Sequence, residues 1–225
     1  MTDKDYDFYG YHTSNSWKVD IMLKELSIES FNYTEVDIAA GEQFKPDFLK
    51  MNPNNKIPVL VDNTISPPLV LFESATILEY LADKYKKLLP GLDRPRERYE
   101  VLKWLTFTVA SQGPNMGQLL FWKIHNQEKV PAAIEKSQKE IERIYSVLDG
   151  VLKDRSYIAG SELSICDISC YGWGMYLKFG IVVDGWEVKY PNFKRWVDLV
   201  ETRASFQHAV KLADEAIRNW QASKK

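Results

Sequence analysis

The sequence predicts a small α/β domain followed by an all-helical one, and three observations predict it. Over residues 1–88, short strand-like runs alternate with helical patterns. Leu89-Pro90-Gly91-Leu92-Asp93-Arg94-Pro95 then places two prolines and a glycine within seven residues, a composition that suits a domain boundary. Beyond it, the apolar residues recur only at helical spacing. The charge divides at the same place: residues 1–88 carry nine Lys and fourteen Asp or Glu, net −5, and the remainder carries net +3. The expected domains are 1–88 and 98–225, joined by a linker over 89–97.

The first domain reads in the order β-α-β-α-β-β-α. Phe8 to Tyr11 is a short aromatic strand. Asn15 to Leu26 places Val19, Met22, Leu23 and Leu26 on one helical face. Phe31 to Ile38 alternates as a strand, and Phe44 to Leu49 is a short helix. Ile57 to Val61 and Leu69 to Phe72 are apolar strands, the second preceded by Pro67-Pro68. Glu73 to Tyr85 turns Ala75, Leu78, Leu81 and Ala82 inward. In the second domain, Ile134, Ile141, Ile144, Tyr145, Leu148, Val151 and Leu152 form one stripe. Ile165 to Phe179, Pro191 to Thr202 and Phe206 to Trp220 read as further helices.

Composition excludes several classes. A formal net charge of −2 argues against binding to nucleic acid or anionic lipid by bulk electrostatics. Two cysteines, Cys166 and Cys170, cannot build a disulfide scaffold. His12, His125 and His208 are too scattered for a local metal site, so no metal is expected. The acidic start is unlike a targeting peptide, and no apolar run approaches the ~20 residues that span a bilayer. A soluble, cytoplasmic protein of a reducing compartment is the expectation, with neither membrane nor nucleic acid as partner.

Three local signals carry chemistry. In Asn54-Asn55-Lys56-Ile57-Pro58-Val59-Leu60, a proline opens an apolar strand, where its missing N–H costs no ladder bond. A trans Pro58 is an ordinary strand entrance. A cis Pro58 would turn the Ile57 amide and carbonyl outward, ready to pair with an extended peptide. In Leu71-Phe72-Glu73-Ser74-Ala75, a strand meets a helix N-terminus, whose free amides hold carboxylates. Glu73 there either pairs with an ammonium or simply favours the helix dipole. The two groups together suit an α-amino acid head group. In His12-Thr13-Ser14-Asn15-Ser16, hydroxyl and amide donors either cap the first helix or stabilise a bound anion such as a thiolate. Lowering a thiol pKa from ~8.5 by about two units raises its thiolate fraction at neutral pH by roughly 25-fold, for ~2.7 kcal/mol of differential binding.

In this order and spacing, the three signals resemble the soluble glutathione transferases over about residues 6–215. Asn52-Pro53-Asn54-Asn55-Lys56-Ile57-Pro58-Val59-Leu60-Val61-Asp62, followed by residues 71–81, carries the resemblance. The stretch 41–49 is most similar to the nu class and the fungal group that includes the yeast prion-type nitrogen regulator. The resemblance implies a thioredoxin-like first domain with a cis Pro58, a helical-bundle second domain, glutathione as co-substrate and a homodimer. It implies that Ile57 bonds the cysteinyl backbone of glutathione and that Glu73 and Ser74 hold its γ-glutamyl end. Gln43, Lys45 and Asn55 become its polar wall, with Lys45 near the glycyl carboxylate. Thr13 and Asn15 become thiolate stabilisers. Ser14 stands where the group often has proline and Ser16 where it often has glycine, so Ser14 competes with Thr13 for that role.

Other positions receive plainer readings. Tyr9 and Tyr11 do not match a catalytic tyrosine by spacing and read as strand residues. The absence of a cysteine in the 12–16 loop counts against the cysteine-dependent classes. Ser164-Ile165-Cys166-Asp167 fits a capping box that serves folding, and Cys166 and Cys170, one turn apart, read as buried packing. Trp104, Phe107, Phe121, Trp122, Trp173 and Tyr176 read mostly as core, with Trp122 and His125 where the resemblance puts a second-substrate pocket. Lys136 stands where nu-class relatives have a basic residue near the partner's glutathione site. The implied activity is reduction of disulfides or peroxides, or conjugation of small electrophiles, in detoxification. A non-catalytic binding or regulatory protein on the same fold is the alternative.

Overall fold

The computed structural model describes residues 4–180 and 182–222. The chain divides into two compact units, residues up to 87 together with 204 onward, and residues 88–203. The first contains β1 (Tyr6–Gly10), α1 (Ser14–Glu25), β2 (Phe31–Glu35), α2 (Pro46–Met51), β3 (Val59–Asp62), β4 (Leu69–Phe72) and α3 (Ser74–Tyr85). The second contains α4 (Pro95–Phe107), α5 (Gly113–Leu120), α6 (Pro131–Leu152), α7 (Ile165–Lys178), α8 (Trp186–Lys189) and α9 (Pro191–Val200). The last helix, α10 (Ala204–Ala222), packs on α1 in the first unit, although 98–225 reads in the sequence as one helical domain.

The sheet order is β2-β1-β3-β4. β1 runs parallel to β2 and antiparallel to β3, which is antiparallel to β4. α1 supplies the crossover that a parallel pair requires. The inner strand β3 is buried at every position, as befits a strand covered on both faces. β2 lies at the edge and stays half exposed; its ladder ends at Glu35, so only part of the alternation over 31–38 is strand. On α1 the expected Val19, Met22, Leu23 and Leu26 are buried, and so are Trp17, Lys18 and Ile21. One apolar face would suit a helix covered on one side; α1 is packed by both α3 and α10.

Asp62 ends β3 as a wholly buried hub. It accepts from Tyr80 Oη at 2.6 Å, Thr64 N–H at 2.8 Å, Thr64 Oγ1 at 2.6 Å, and Lys84 Nζ. Burial opposes its ionisation, but these donors outweigh burial and hold the carboxyl below its ordinary range. In the second unit, Ile141, Ile144, Tyr145, Leu148 and Leu152 of the α6 stripe are fully buried, and Tyr145 meets Phe193 edge-on at 5.0 Å.

The aromatic core differs from the expectation. Trp104, Phe107, Trp122, Trp173 and Tyr176 are only half-buried, and Phe121 is exposed. Tyr145, Tyr171, Tyr190, Phe193 and Trp196 fill the interior instead. The buried rings lie on or beside α6, α7 and α9, but the half-buried Trp173 and Tyr176 also belong to α7, so the face of the helix on which a ring stands sets its burial. Trp104–Phe107, Phe121–Trp122 and Trp173–Tyr176 form ring pairs at 5.3, 4.9 and 5.8 Å.

Candidate functional site

The register of the sheet gathers the candidate residues. Tyr9 lies opposite Val59, and Val59 lies opposite Phe72. The C-terminal end of β1, the start of β3 and the end of β4 therefore share one edge of the sheet, with neighbouring strands about 4.8 Å apart. β2 leaves at the same edge, since Glu35 pairs with Gly10. The loop bearing Thr13, Ser14 and Asn15, the Ile57-Pro58 entrance, the Glu73-Ser74 junction and the chain toward Gln43 and Lys45 all emerge there.

Two helices begin at this edge, and neither is capped by a side chain. Thr13 is extended at the N-cap of α1 and makes no side-chain cap bond. Its Oγ1 reaches only Ser16 Oγ at 3.5 Å, while Ser16 Oγ accepts from Tyr11 N–H at 3.1 Å. The first bond into the helix is Trp17 N–H to Thr13 O. The amides of Ser14, Asn15 and Ser16 thus have no main-chain acceptor among the described residues, leaving partial positive charge at the helix start. Ser14 itself is buried, so its hydroxyl is the less accessible of the candidates. Asn15 Oδ1 accepts from Lys18 Nζ at 2.9 Å, and Lys18 is wholly buried.

At α3, Glu73 occupies the N-cap with φ +68° and makes no side-chain cap bond. That backbone region is uncommon for a residue with a Cβ and recurs at functional sites. The exposed Glu73 carboxylate does not cap the helix, and Ser74 behind it is buried. Ile77 N–H makes the first bond, to Glu73 O, so the α3 amides at 74–76 are also open.

The Ile57–Pro58 peptide is cis; so is Ser66–Pro67, where the sequence marks only a turn. Ile57 N–H and C=O have no main-chain partner among the described residues. The preceding turn is organised by buried Asn52, which donates through Nδ2 to Lys56 O at 2.7 Å and accepts from Asn54 N–H at 3.0 Å. Asn55 sits in this turn at φ +48°. Gln43 donates to Ile38 O at 3.3 Å and leaves its buried Oε1 without a partner. Lys45 is exposed and pairs with Glu42 at 2.5 Å, an exchangeable surface pair worth about 0–1 kcal/mol.

The N-terminal domain of glutathione S-transferases matches residues 5–83, and their C-terminal domain matches residues 114–204. The chain belongs to the glutathione S-transferase family. The Escherichia coli disulfide-bond oxidoreductase YfcG is 34% identical over 221 residues, covering 93% of this chain and 97% of its own. The Phanerochaete chrysosporium glutathione transferase URE2P8, solved with oxidized glutathione, superposes with a TM-score of 0.87 at 30% identity, covering 96% of this chain and 98% of its own. A Pseudomonas fluorescens family member solved with two glutathione bound has a TM-score of 0.81 at 31% identity, with 92% of each chain covered.

The remaining residues singled out in this transferase-family chain each belong to one of the two units. Tyr9 packs against Val36, Phe48 and Val59, and burial pushes its phenol up, as it does that of Tyr11 beside Asp37. His12 lies 3.4 Å from Glu35 on the surface. Trp122 and His125 occupy the π-helical turn Phe121–His125 of the second unit, and Lys136 is exposed on α6. Cys166 and Cys170 are buried and form no disulfide, and burial pushes the Cys166 thiol well up. Among the described residues, no group of three or more His, Cys, Asp and Glu could hold a metal ion, and no helix is long and apolar enough to cross a membrane. Sequence reading assigned no separate role to Asn52 or Lys18. The signal for Lys18 was present: it stands three residues after Asn15 within an apolar helical stretch.

Proposed function

We propose that this chain binds glutathione at the shared sheet edge of its first unit and uses the glutathione thiolate to reduce disulfides. The observation that carries the reading is the uncapped N-terminus of α1, flanked by the Thr13 hydroxyl and the Asn15 amide. A thiolate there would meet hydrogen-bond donors and a positive dipole end, both of which favour the charged form. At the second uncapped N-terminus, the α3 amides would receive the α-carboxylate of the γ-glutamyl end, and Glu73 its ammonium. Ile57 would pair its free N–H and C=O with the cysteinyl backbone, as an added strand does. Gln43 and Asn55 would line the backbone, and Lys45 would exchange Glu42 for the glycyl carboxylate.

The reaction closes without a protein thiol. One glutathione thiolate attacks a sulfur of the substrate disulfide; the new bond is a mixed disulfide, and the other sulfur leaves as a thiolate and takes a proton. A second glutathione attacks the glutathione sulfur of that mixed disulfide, releasing the second thiol and glutathione disulfide. Two glutathiones are oxidised and one disulfide is reduced. The relatives solved with oxidized glutathione or with two glutathiones support this stoichiometry, as does the oxidoreductase name of YfcG. Trp122 and His125 are kept as candidates for the organic part of the second substrate, and a homodimer as the assembly.

The test is glutathione-dependent reduction of hydroxyethyl disulfide, coupled to NADPH and glutathione reductase, for wild type, Thr13→Ala and Asn15→Ala. Wild-type turnover that falls about tenfold or more in each variant, with glutathione affinity nearly kept, is the expected result. Absence of turnover with glutathione still bound would replace the reading with a binding or regulatory role.

A further inference from the structure

Resting on that reading of the thiolate loop, we propose that Lys18 is a positioning residue: it holds the Asn15 carboxamide by its oxygen and so commits the amide Nδ2 to the glutathione sulfur. A carboxamide is ambivalent. One end donates and the other accepts, and a rotation by half a turn exchanges them. Asn15 with Nδ2 toward a thiolate stabilises it; with Oδ1 toward the thiolate it opposes its formation. The loop sequence alone does not choose between the two. Lys18 does, because an ammonium has three donors and no acceptor. Its Nζ lies 2.9 Å from Asn15 Oδ1, so the oxygen is the engaged end. Among the described residues, Asn15 Nδ2 donates to no protein acceptor.

Burial makes the choice firm. Lys18 is 0% exposed, so water does not compete at Nζ as it would at a surface lysine. The contact also spans one helical turn, where side chains at i and i+3 meet without bending the backbone. A surface lysine would pay rotamer entropy to hold this geometry, whereas one packed within α1 has lost that freedom already. Burying a charged side chain is costly unless its donors are engaged, and Asn15 Oδ1 engages one of them.

The experiment reads the pKa of glutathione bound to the full chain, from its thiolate ultraviolet absorbance across pH. The proteins are wild type, Lys18→Met, Lys18→Arg, Asn15→Ala and the Lys18→Met/Asn15→Ala double variant. Lys18→Met keeps the length of the side chain but has no donor. It is expected to raise the bound thiol pKa by about one unit, roughly a tenfold loss of thiolate below that pKa. Lys18→Arg, which keeps donors and charge, is expected to restore most of the shift. In the Asn15→Ala background, Lys18→Met is expected to add nothing, since its effect runs through the missing amide.

Additive effects would overturn the proposal in favour of a direct effect of the Lys18 charge. A thiol pKa unchanged in Lys18→Met while raised in Asn15→Ala would overturn the role of Lys18 and leave the thiolate loop standing. A wild-type pKa equal to that of free glutathione would overturn the loop reading and this proposal together. One measurement needs no Lys18 variant and so survives a failure of Lys18→Met to fold. The Asn15 side-chain amide resonances of the wild type are expected to titrate with the bound glutathione thiol and to stay still with S-methylglutathione. Resonances that ignore the thiol would overturn the proposal.

Discussion

Glu73 is the residue whose conformation most favours a ligand over a scaffold role. It stands at a helix start, caps nothing with its side chain, and holds φ +68° with its carboxylate exposed. A carboxylate kept for the helix would be expected to bond the first-turn amides, which is the usual gain from an N-cap. Replacing Glu73 with Gln removes the charge while keeping size and backbone. Glutathione affinity is expected to fall about tenfold, the loss of one charge-assisted bond, by isothermal calorimetry. The thermal midpoint is expected to stay where it was, because no internal contact is lost. A fall in midpoint with unchanged affinity would return Glu73 to a structural role.

At the scale of elements, α7 is anchored in the opposite way, by a capping box between Ser164 and Asp167. Asp167 is wholly buried and accepts from Ile158 N–H at 2.9 Å, Ser164 N–H at 3.0 Å, Ser164 Oγ at 2.9 Å and Trp196 Nε1 at 2.9 Å. Burial pushes its carboxyl up, and these donors partly offset that. The box therefore ties the start of α7 to the 158 turn and to α9. Asp167→Ala would leave three buried N–H donors unpaired. It is expected to cost about 3 kcal/mol or more in urea unfolding, since each orphaned buried donor costs about 1–3 kcal/mol. The two helix starts at the sheet edge have no such side-chain caps.

At the scale of the molecule, the last helix belongs with the first unit. Phe206, Ala209 and Ala213 are buried, Ser205 Oγ donates to Glu25, and His208 lies 3.3 Å from Asp20. Truncation after Arg203 is expected to speed amide hydrogen exchange in α1 while leaving α6 and α7 protected. Faster exchange confined to the second unit would contradict it. A separate prediction concerns acid. Glu100 is opposed by burial, but Lys103, Arg155 and Trp104 donate to it and hold its carboxyl at about 2, below the ordinary 4.5. A carboxyl depressed on folding contributes stability above its unfolded pKa and loses it as pH falls toward the folded one. Glu100→Gln is therefore expected to be less stable than wild type at neutral pH, with the gap closing between about pH 4.5 and 2 in denaturation curves.

Much of this was legible in the chain itself. The order β-α-β-α-β-β-α follows from short-range periodicity and from turn residues, because strand and helix patterns are properties of neighbouring positions. The loop donors Thr13 and Asn15, the Pro58 entrance and the Glu73-Ser74 junction were legible as types of residue at types of boundary. Each admitted a plainer reading, since the same residues cap helices and open strands. Tertiary structure made the Ile57–Pro58 peptide cis and left the helix starts at Thr13 and Glu73 without a side-chain cap. Only strand register could show that three separate boundaries share one edge, only the absence of internal partners could free Glu73 and the α1 amides, and only burial could turn Lys18 into a fixed donor for Asn15. Of the six aromatics that read mostly as core, five are half-buried and Phe121 is exposed, for the same reason. Hydrophobicity is written in the sequence, but which face another element covers is settled by contacts between residues far apart in the chain.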